Sequence, residues 1–216
     1  MKNEESLGTM NEKETPCDKS LQEKNDSSSN DSSFFTLHSS FRKLRTIEMN
    51  RLSVEEFKHA EKLPLIVVLD DVRSLYNVGS VFRTSDAFRV EAIYLCGITA
   101  TPPSTEIHKT ALGAEDTVDW IYYQETTDAL ESLRNEGFTI IAIEQVKNSI
   151  MLQDYAIDIN KKYALILGNE VKGVQQQVVD QCDDCIEIPQ YGTKHSLNVS
   201  VTAGIVIHHF ASSFFL

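Results

Sequence analysis

From residue 65 to the C-terminus, short unbroken apolar runs alternate with stretches whose apolar residues recur at helical spacing, and this alternation constrains the fold more than any other feature. A strand covered on both faces reads as a continuous apolar run, whereas a strand with one wet face reads as every second residue. Residues 65–69 (LIVVL) are of the first kind. Residues 77–88 carry Val78, Val81, Phe82 and Phe88 on one helical stripe. The unit of strand, turn and helix then repeats. The pattern predicts strands over 92–96, 118–122, 138–144, 163–167 and 185–188. Between and after them it predicts a short helix over 106–112, a helix capped by Thr126 or Thr127 and ended by Gly137, a helix over 174–182, and a long last helix over 197–210. Such an order is that of an α/β domain, a mainly parallel sheet with helices on both faces.

The chain before residue 65 is of a different character. Residues 1–40 hold four Lys against eight Asp or Glu, are rich in Ser and Asn, and have almost no large apolar side chain before Phe34. Such a segment buries too little surface to offset its ordering entropy, so it reads as a disordered acidic and polar tail. Residues 41–64 read as a helical extension. FRKLRTIEM (41–49) has apolar positions at 41, 44 and 47 beside Arg42, Lys43 and Arg45, the pattern of a short amphipathic helix. A second helix is predicted over 53–62, where Ser53 and Glu56 form a capping box, Leu52 and Phe57 occupy the staple positions, and Pro64 closes the segment.

A length of 216 residues holds one domain of ordinary size, roughly 100–200 residues, plus a tail. No apolar run approaches the ~20 residues of a membrane span, and residues 1–10 lack the pattern of a signal peptide, so the chain reads as cytoplasmic. The net charge of −12 excludes a general, sequence-blind grip on nucleic acid, which needs cations against phosphates, but leaves room for a local basic patch. Cysteines stand at 17, 96, 182 and 185. Cys182 and Cys185 form a C-x-x-C pair, but no second pair completes a zinc site, so they read as thiols where a helix hands over to a strand, with no metal.

Ligands of open α/β sheets bind beyond the carboxyl ends of strands, so the turns after strands are where function is read. Three are unusual: LDDVRSLYNVGSVFRTSDAF (69–88), with Asn77, Gly79, Ser80 and Arg83; LILGNEVKGV (165–174), with Gly168, Asn169 and Glu170; and IEIPQYGTKHSLNVSVTAGI (186–205), with Ile188, Pro189, Ser196, Leu197 and Asn198. Taken singly, Asn77 and Ser196 serve equally as helix caps and Gly168 as a turn glycine. Together the turns resemble the three ordered motifs of the SpoU (TrmH-like) branch of the SPOUT methyltransferases. These are N-x-G with an Arg four residues past the Gly, L-x-x-G-x-E with a following Gly, and I-P with S-L-N-V-S. KTALGAE (109–115) resembles the family's linking stretch, and the likeness covers about 150 residues.

The resemblance implies a SPOUT-type α/β domain over 65–216 with a C-terminal deep trefoil knot, working as a homodimer. It implies transfer of a methyl group from S-adenosylmethionine to a ribose 2′-hydroxyl of structured RNA, tRNA or rRNA. A catalytically inactive RNA-binding relative is the alternative. Carried over residue by residue, Gly168, Ile188 and Leu197 line the cofactor pocket. Arg83, Asn77, Glu170, Ser196 and Asn198 form the catalytic set, with Asn77 orienting Arg83 or substrate and Glu170 fixing Arg83 or Asn198. Ser196 and Asn198 would bind phosphate and ribose at a helix start whose N–H groups are free. The cations at 41–51 fit either a solvated face or RNA, and Lys194 and His195 read as loop residues. His208 and His209 read as packing or dimer-contact residues, and Trp120, Tyr122 and Tyr123 as core.

Overall fold

The computed structural model describes residues 41–215. The tail expected over 1–40 lies outside them. Phe41–Arg45 has no regular structure, and from Thr46 onward the chain forms one compact unit. Of the helix predicted over 41–49 only a 3-10 turn, Thr46–Met49, is present. Phe41, Leu44 and Ile47 are exposed, and a short helix with no buried face lacks the packing that stabilises it.

Helix α1 (Val54–His59) starts as its sequence dictates. Ser53 Oγ accepts from Glu56 N and Glu56 Oε2 accepts from Ser53 N. It is three residues shorter at its end than predicted. Phe57 is buried in the core, whereas Leu52 stays 49% exposed.

Seven strands follow: β1 (Leu63–Asp70), β2 (Val90–Cys96), β3 (Asp119–Tyr123), β4 (Phe138–Ile143), β5 (Ile150–Met151), β6 (Lys162–Leu167) and β7 (Asp184–Glu187). They form one sheet in the order β3-β2-β1-β6-β4-β7-β5, with every neighbouring pair parallel. β1 begins two residues before its predicted run. The two-residue edge strand β5 carries too few residues to show a period and was not legible. β6 enters between β1 and β4, and β7 between β4 and β5, so the last strands sit among strands laid down earlier.

The central strands are buried on both faces, which is why they read as unbroken apolar runs. Leu65, Val67 and Leu69 of β1 pack with α2 (Leu75–Ala87), α3 (Thr105–Ala111) and α6 (Val199–Phe215). Ile66 and Val68 face α4 (Thr126–Asn135) and α5 (Gln176–Val179) on the other side.

Three local expectations change. Neither threonine caps α4: Glu125 holds the cap position, while Thr126, the first helical residue, is buried and donates to Asp70 Oδ1 at 2.6 Å. The helix expected over 174–182 shrinks to α5 because Val174 N and Gln175 N are drawn to Glu144 and Asp70. At its far end Asp183 already bonds β4, through Asp183 N to Ile140 O and Ile140 N to Asp183 Oδ2. Tyr122 is not core, since β3 is an edge strand: its ring is 47% exposed and its hydroxyl donates to Gly97 O. Trp120 and Tyr123 are partly buried against the two core clusters. His208 stacks edge-on against Phe88 and His209 against Phe210, as packing residues do.

Candidate active site

The carboxyl ends of β4, β6 and β7 open into a cleft of about 310 Å³. Its walls include Ile143 and Glu144 at the end of β4, Leu167 to Gly173 from the end of β6, Glu187 and Ile188 at the end of β7, and His195, Ser196, Leu197 and Val199 where the chain enters α6. Gly168, Ile188 and Leu197, drawn from separate turns, therefore line one space, together with Glu170 and Ser196.

The Gly168–Gly173 turn is a compact hairpin. Asn169 N donates to Gly173 O and Gly173 N to Asn169 O, and Asn169 Oδ1 accepts from Val171 N and Lys172 N. This supplies the reason for a glycine at 168, and it differs from close approach by a ligand. A Cβ there would fall inside the radii of Gly173 C and Val174 N, so the chain's own return excludes a side chain. Asn169 Nδ2 donates to Asp71 O at 2.8 Å, tying the hairpin to the end of β1.

Glu170 reaches from the hairpin to the start of α2. Its carboxylate accepts from Arg73 N, Ser74 N and Asn77 Nδ2, each at 3.0 Å. Asn77 Oδ1 in turn accepts from Asn198 Nδ2 at 3.1 Å. Asn198 Oδ1 accepts from Ser200 N at 2.9 Å and Val201 N at 3.4 Å, so Asn198 caps α6. One hydrogen-bonded chain thus runs Glu170, Asn77, Asn198 and joins all three motifs. Burial pushes the Glu170 carboxyl up, but the hydrogen bonds from Arg73 N, Asn77 and Ser74 outweigh it and hold the group below the usual carboxylate value.

These contacts correct several expected roles. Glu170 bonds Asn77, and Asn77 in turn bonds Asn198; Glu170 bonds neither Arg83 nor Asn198 directly, and Asn77 does not bond Arg83. Both ends of the Asn198 amide are taken, and the first N–H groups of α6 are already capped, so this helix start offers less to an anion than expected. Ser196 is exposed at the cleft, and its hydroxyl has no partner among the described residues. Arg83 is exposed and stands outside the cleft lining. Six residues past Asn77, it lies about 9 Å further along α2 and faces elsewhere, as helix geometry requires. Gly79 has a packing reason: a Cβ there would collide with Ile107 O and Thr110 Oγ1, so α3 rests directly on the α2 backbone.

Sequence reasoning missed Glu144, Gln145 and Thr202 in the cleft wall. Glu144 accepts from Val174 N and Gln145 N, and Gln145 Nε2 donates to His195 O at 3.0 Å, holding the segment before α6. For Glu144 and Gln145 the signal was positional only, as the two residues directly after β4, and Thr202 in the first turn of α6 carried none. No group of three or more His, Cys, Asp or Glu that could hold a metal occurs among the described residues.

By fold and cleft this is a parallel α/β protein with a cleft of small-molecule size at the carboxyl edge of its sheet, without the G-x-G-x-x-G turn of dinucleotide sites. The profile of the SpoU rRNA Methylase family matches residues 64–208. The chain belongs to that family. It is 30% identical over 165 residues to the tRNA (guanosine(18)-2′-O)-methyltransferase of Aquifex aeolicus, covering 75% of each chain. It is 30% identical over 159 residues to the 23S rRNA (guanosine-2′-O-)-methyltransferase RlmB of Neisseria meningitidis, covering 73% of this chain and 62% of that enzyme, so it spans less than two thirds of that relative's length. Among solved structures, the AdoMet-bound rRNA methyltransferase of Sinorhizobium meliloti superposes with a TM-score of 0.65 at 27% identity, over 74% of this chain and 60% of that one.

Proposed function

We propose that the chain transfers a methyl group from S-adenosylmethionine to a ribose 2′-hydroxyl of tRNA or rRNA. The observation that carries this reading is the meeting of Gly168, Ile188 and Leu197 in one cleft, bordered by the chain of Glu170, Asn77 and Asn198. Relatives named for 2′-O-methylation of tRNA and rRNA, and the AdoMet-bound neighbour, support it.

The residues fit such a cofactor. The volume falls within the range of small-molecule sites, about 300–1,000 Å³. Ile143, Leu167, Ile188 and Val199 offer apolar surface to a flat base, while Glu144, Glu170 and Glu187 favour a ligand bearing sulfonium and ammonium charge. When bound, adenosylmethionine supplies a methyl group activated on sulfur. Ser196 then has a free hydroxyl for ribose or phosphate, and Lys172 and His195 stand on the same wall. A guanidinium has a pKa above ~12, so Arg83 suits holding the phosphate beside the target ribose better than acting as a base. A basic role for Arg83 would require its own proton to pass onward, to that phosphate, as it took the one from the hydroxyl.

Because Arg83 lies off its own cleft, the reading includes a homodimer in which Arg83 of one copy serves the cleft of the other. It also includes the family's deep trefoil knot, which the late entry of β6 and β7 between earlier strands supports. The organisation proposed is a tail over 1–40, an extension over 41–64 and the methyltransferase domain over 65–216, working on structured RNA in the cytoplasm. No helix among the described residues is long and apolar enough to cross a membrane.

The test is to incubate the protein with adenosylmethionine and total RNA from cells lacking the gene, then map ribose methylation. New 2′-O-methyl positions in tRNA or rRNA are expected, and an Arg83→Lys variant should lose most turnover while still binding cofactor. Methyl groups found only on bases would overturn the assignment.

A further inference from the structure

The segment 168–175 straddles the carboxyl edge of the sheet. On the face of α2, Glu170 holds one end. On the opposite face, Gln175 holds the other, against a residue that was given no role in the first turn and that the cleft lining does not contain. Asp70, the last residue of β1, is completely buried on the α4 side. Its carboxylate accepts from Thr126 Oγ1 at 2.6 Å, from Gln175 N at 2.9 Å and from Gln175 Nε2 at 2.9 Å. The same side-chain amide also donates to Asp71 Oδ2 at 3.2 Å. Each hydrogen-bond partner of Asp70 donates to it, and two of the three, Gln175 N and Gln175 Nε2, are N–H groups that cannot accept, so the position favours a side chain that only accepts. An asparagine would set its own NH2 against one of them, leaving a buried donor without a partner.

The hairpin between these ends is closed by its own backbone bonds and by the Asn169 side chain. Its internal shape is therefore settled locally, and its tilt over the sheet is settled by what grips it from outside. Those grips are Glu170 on one face, Asp71 O and Glu144 in the middle, and the Asp70–Gln175 pair on the other face. Loss of one end lets a rigid turn pivot, which shifts the Gly168 backbone and the Glu170 carboxylate together.

We infer that Asp70 and Gln175 form a strap that positions the ligand-binding hairpin from behind the sheet, making Gln175 a positioning residue for the cofactor cleft it does not line. The inference rests on the proposed adenosylmethionine site. Gln175 itself is only partly buried and lies outside both apolar core clusters, so its variants leave the apolar packing in place and act on the hairpin and on Asp70.

The experiment compares wild type with Gln175→Met, which keeps length without the amide, and with Gln175→Glu, Asp70→Asn and their combination. Each is titrated with adenosylmethionine by calorimetry, and amide exchange is followed across 168–175. Gln175→Asn, which keeps the amide but lacks the reach, replaces the methionine variant should that one aggregate. Gln175→Met is expected to weaken binding at least tenfold and to speed exchange at 169–174 more than in the central strands, with a modest fall in the midpoint of thermal unfolding from the donor lost to buried Asp70. Gln175→Glu sets a third carboxylate beside Asp70 and Asp71 and should bind more weakly still, while Asp70→Asn combined with it should recover part of the loss. Wild-type affinity and exchange in Gln175→Met, or a double variant no better than its weaker parent, would overturn the strap. Failure of the wild type to bind would instead sink the proposed function, and the exchange measurement tests the strap in either case.

Discussion

Glu170 spends its carboxylate on the first turn of α2, a use no local pattern discloses because Arg73 and Ser74 lie almost a hundred positions earlier in the chain. Since its pKa is held below the ordinary 4.5, it contributes stability that is fully present above that value and fades as the pH falls through the lower folded value. Protection of the amides at 73–77 and 168–175 should therefore be flat at neutral pH and fall below about pH 4.5, and Glu170→Gln should abolish that step. Protection that ignores pH down to unfolding would show the contact to be idle. The C-x-x-C thiols are a second case. Burial, with Cys185 and Asp183 adding to it against an opposing Arg134, pushes Cys182 up to about 12, and burial also raises Cys185. Few thiolates exist near neutrality, so iodoacetamide should label both residues slowly in the folded protein and fully in urea, as mass spectrometry of their peptide can show. The motif residues themselves were legible, since Gly168, Ile188, Leu197, Ser196 and Glu170 do meet. The particular partners were not, because a hydrogen bond between distant segments leaves no trace in either one.

Between elements, α3 lies directly on the backbone of α2 at Gly79. The bulk of a single methyl must push α3 away, so Gly79→Ala should destabilise by about 1–3 kcal/mol, the range for overpacking, read as a lower urea midpoint at unchanged slope. A midpoint equal to wild type would mean that α3 yields freely. The sequence announced the long elements well because their burial is two-sided or amphipathic, as in β1, β6 and α2. It failed where tertiary bonds override local preference. α5 loses its first residues to Glu144 and Asp70, and the predicted start of α6 moves from 197 to Val199 because Asn198 is its cap. The 41–49 segment had the right period but buries no face.

At the scale of the molecule, the proposed homodimer assigns Arg83 of one copy to the cleft lined by Gly168 of the other, because Arg83 is exposed and outside its own cleft lining. Mixing Arg83→Ala with a cofactor-dead Gly168→Val chain should restore methyl transfer, to about a quarter of wild type for a two-fold dimer that pairs at random. No recovery on mixing would return Arg83 to its own cleft or remove it from the reaction. The strand order has a consequence of another kind. β1 and β4 are not neighbours in the sheet: among the strands, β6 alone joins the β3-β2-β1 half to the rest. A nascent chain that has emerged only as far as residue 150 thus holds two open-edged fragments, which later synthesis must stitch together. Completion is accordingly a late, all-at-once event, and in the interval the chain offers bare strand borders to which chaperones or other unfinished chains can adhere.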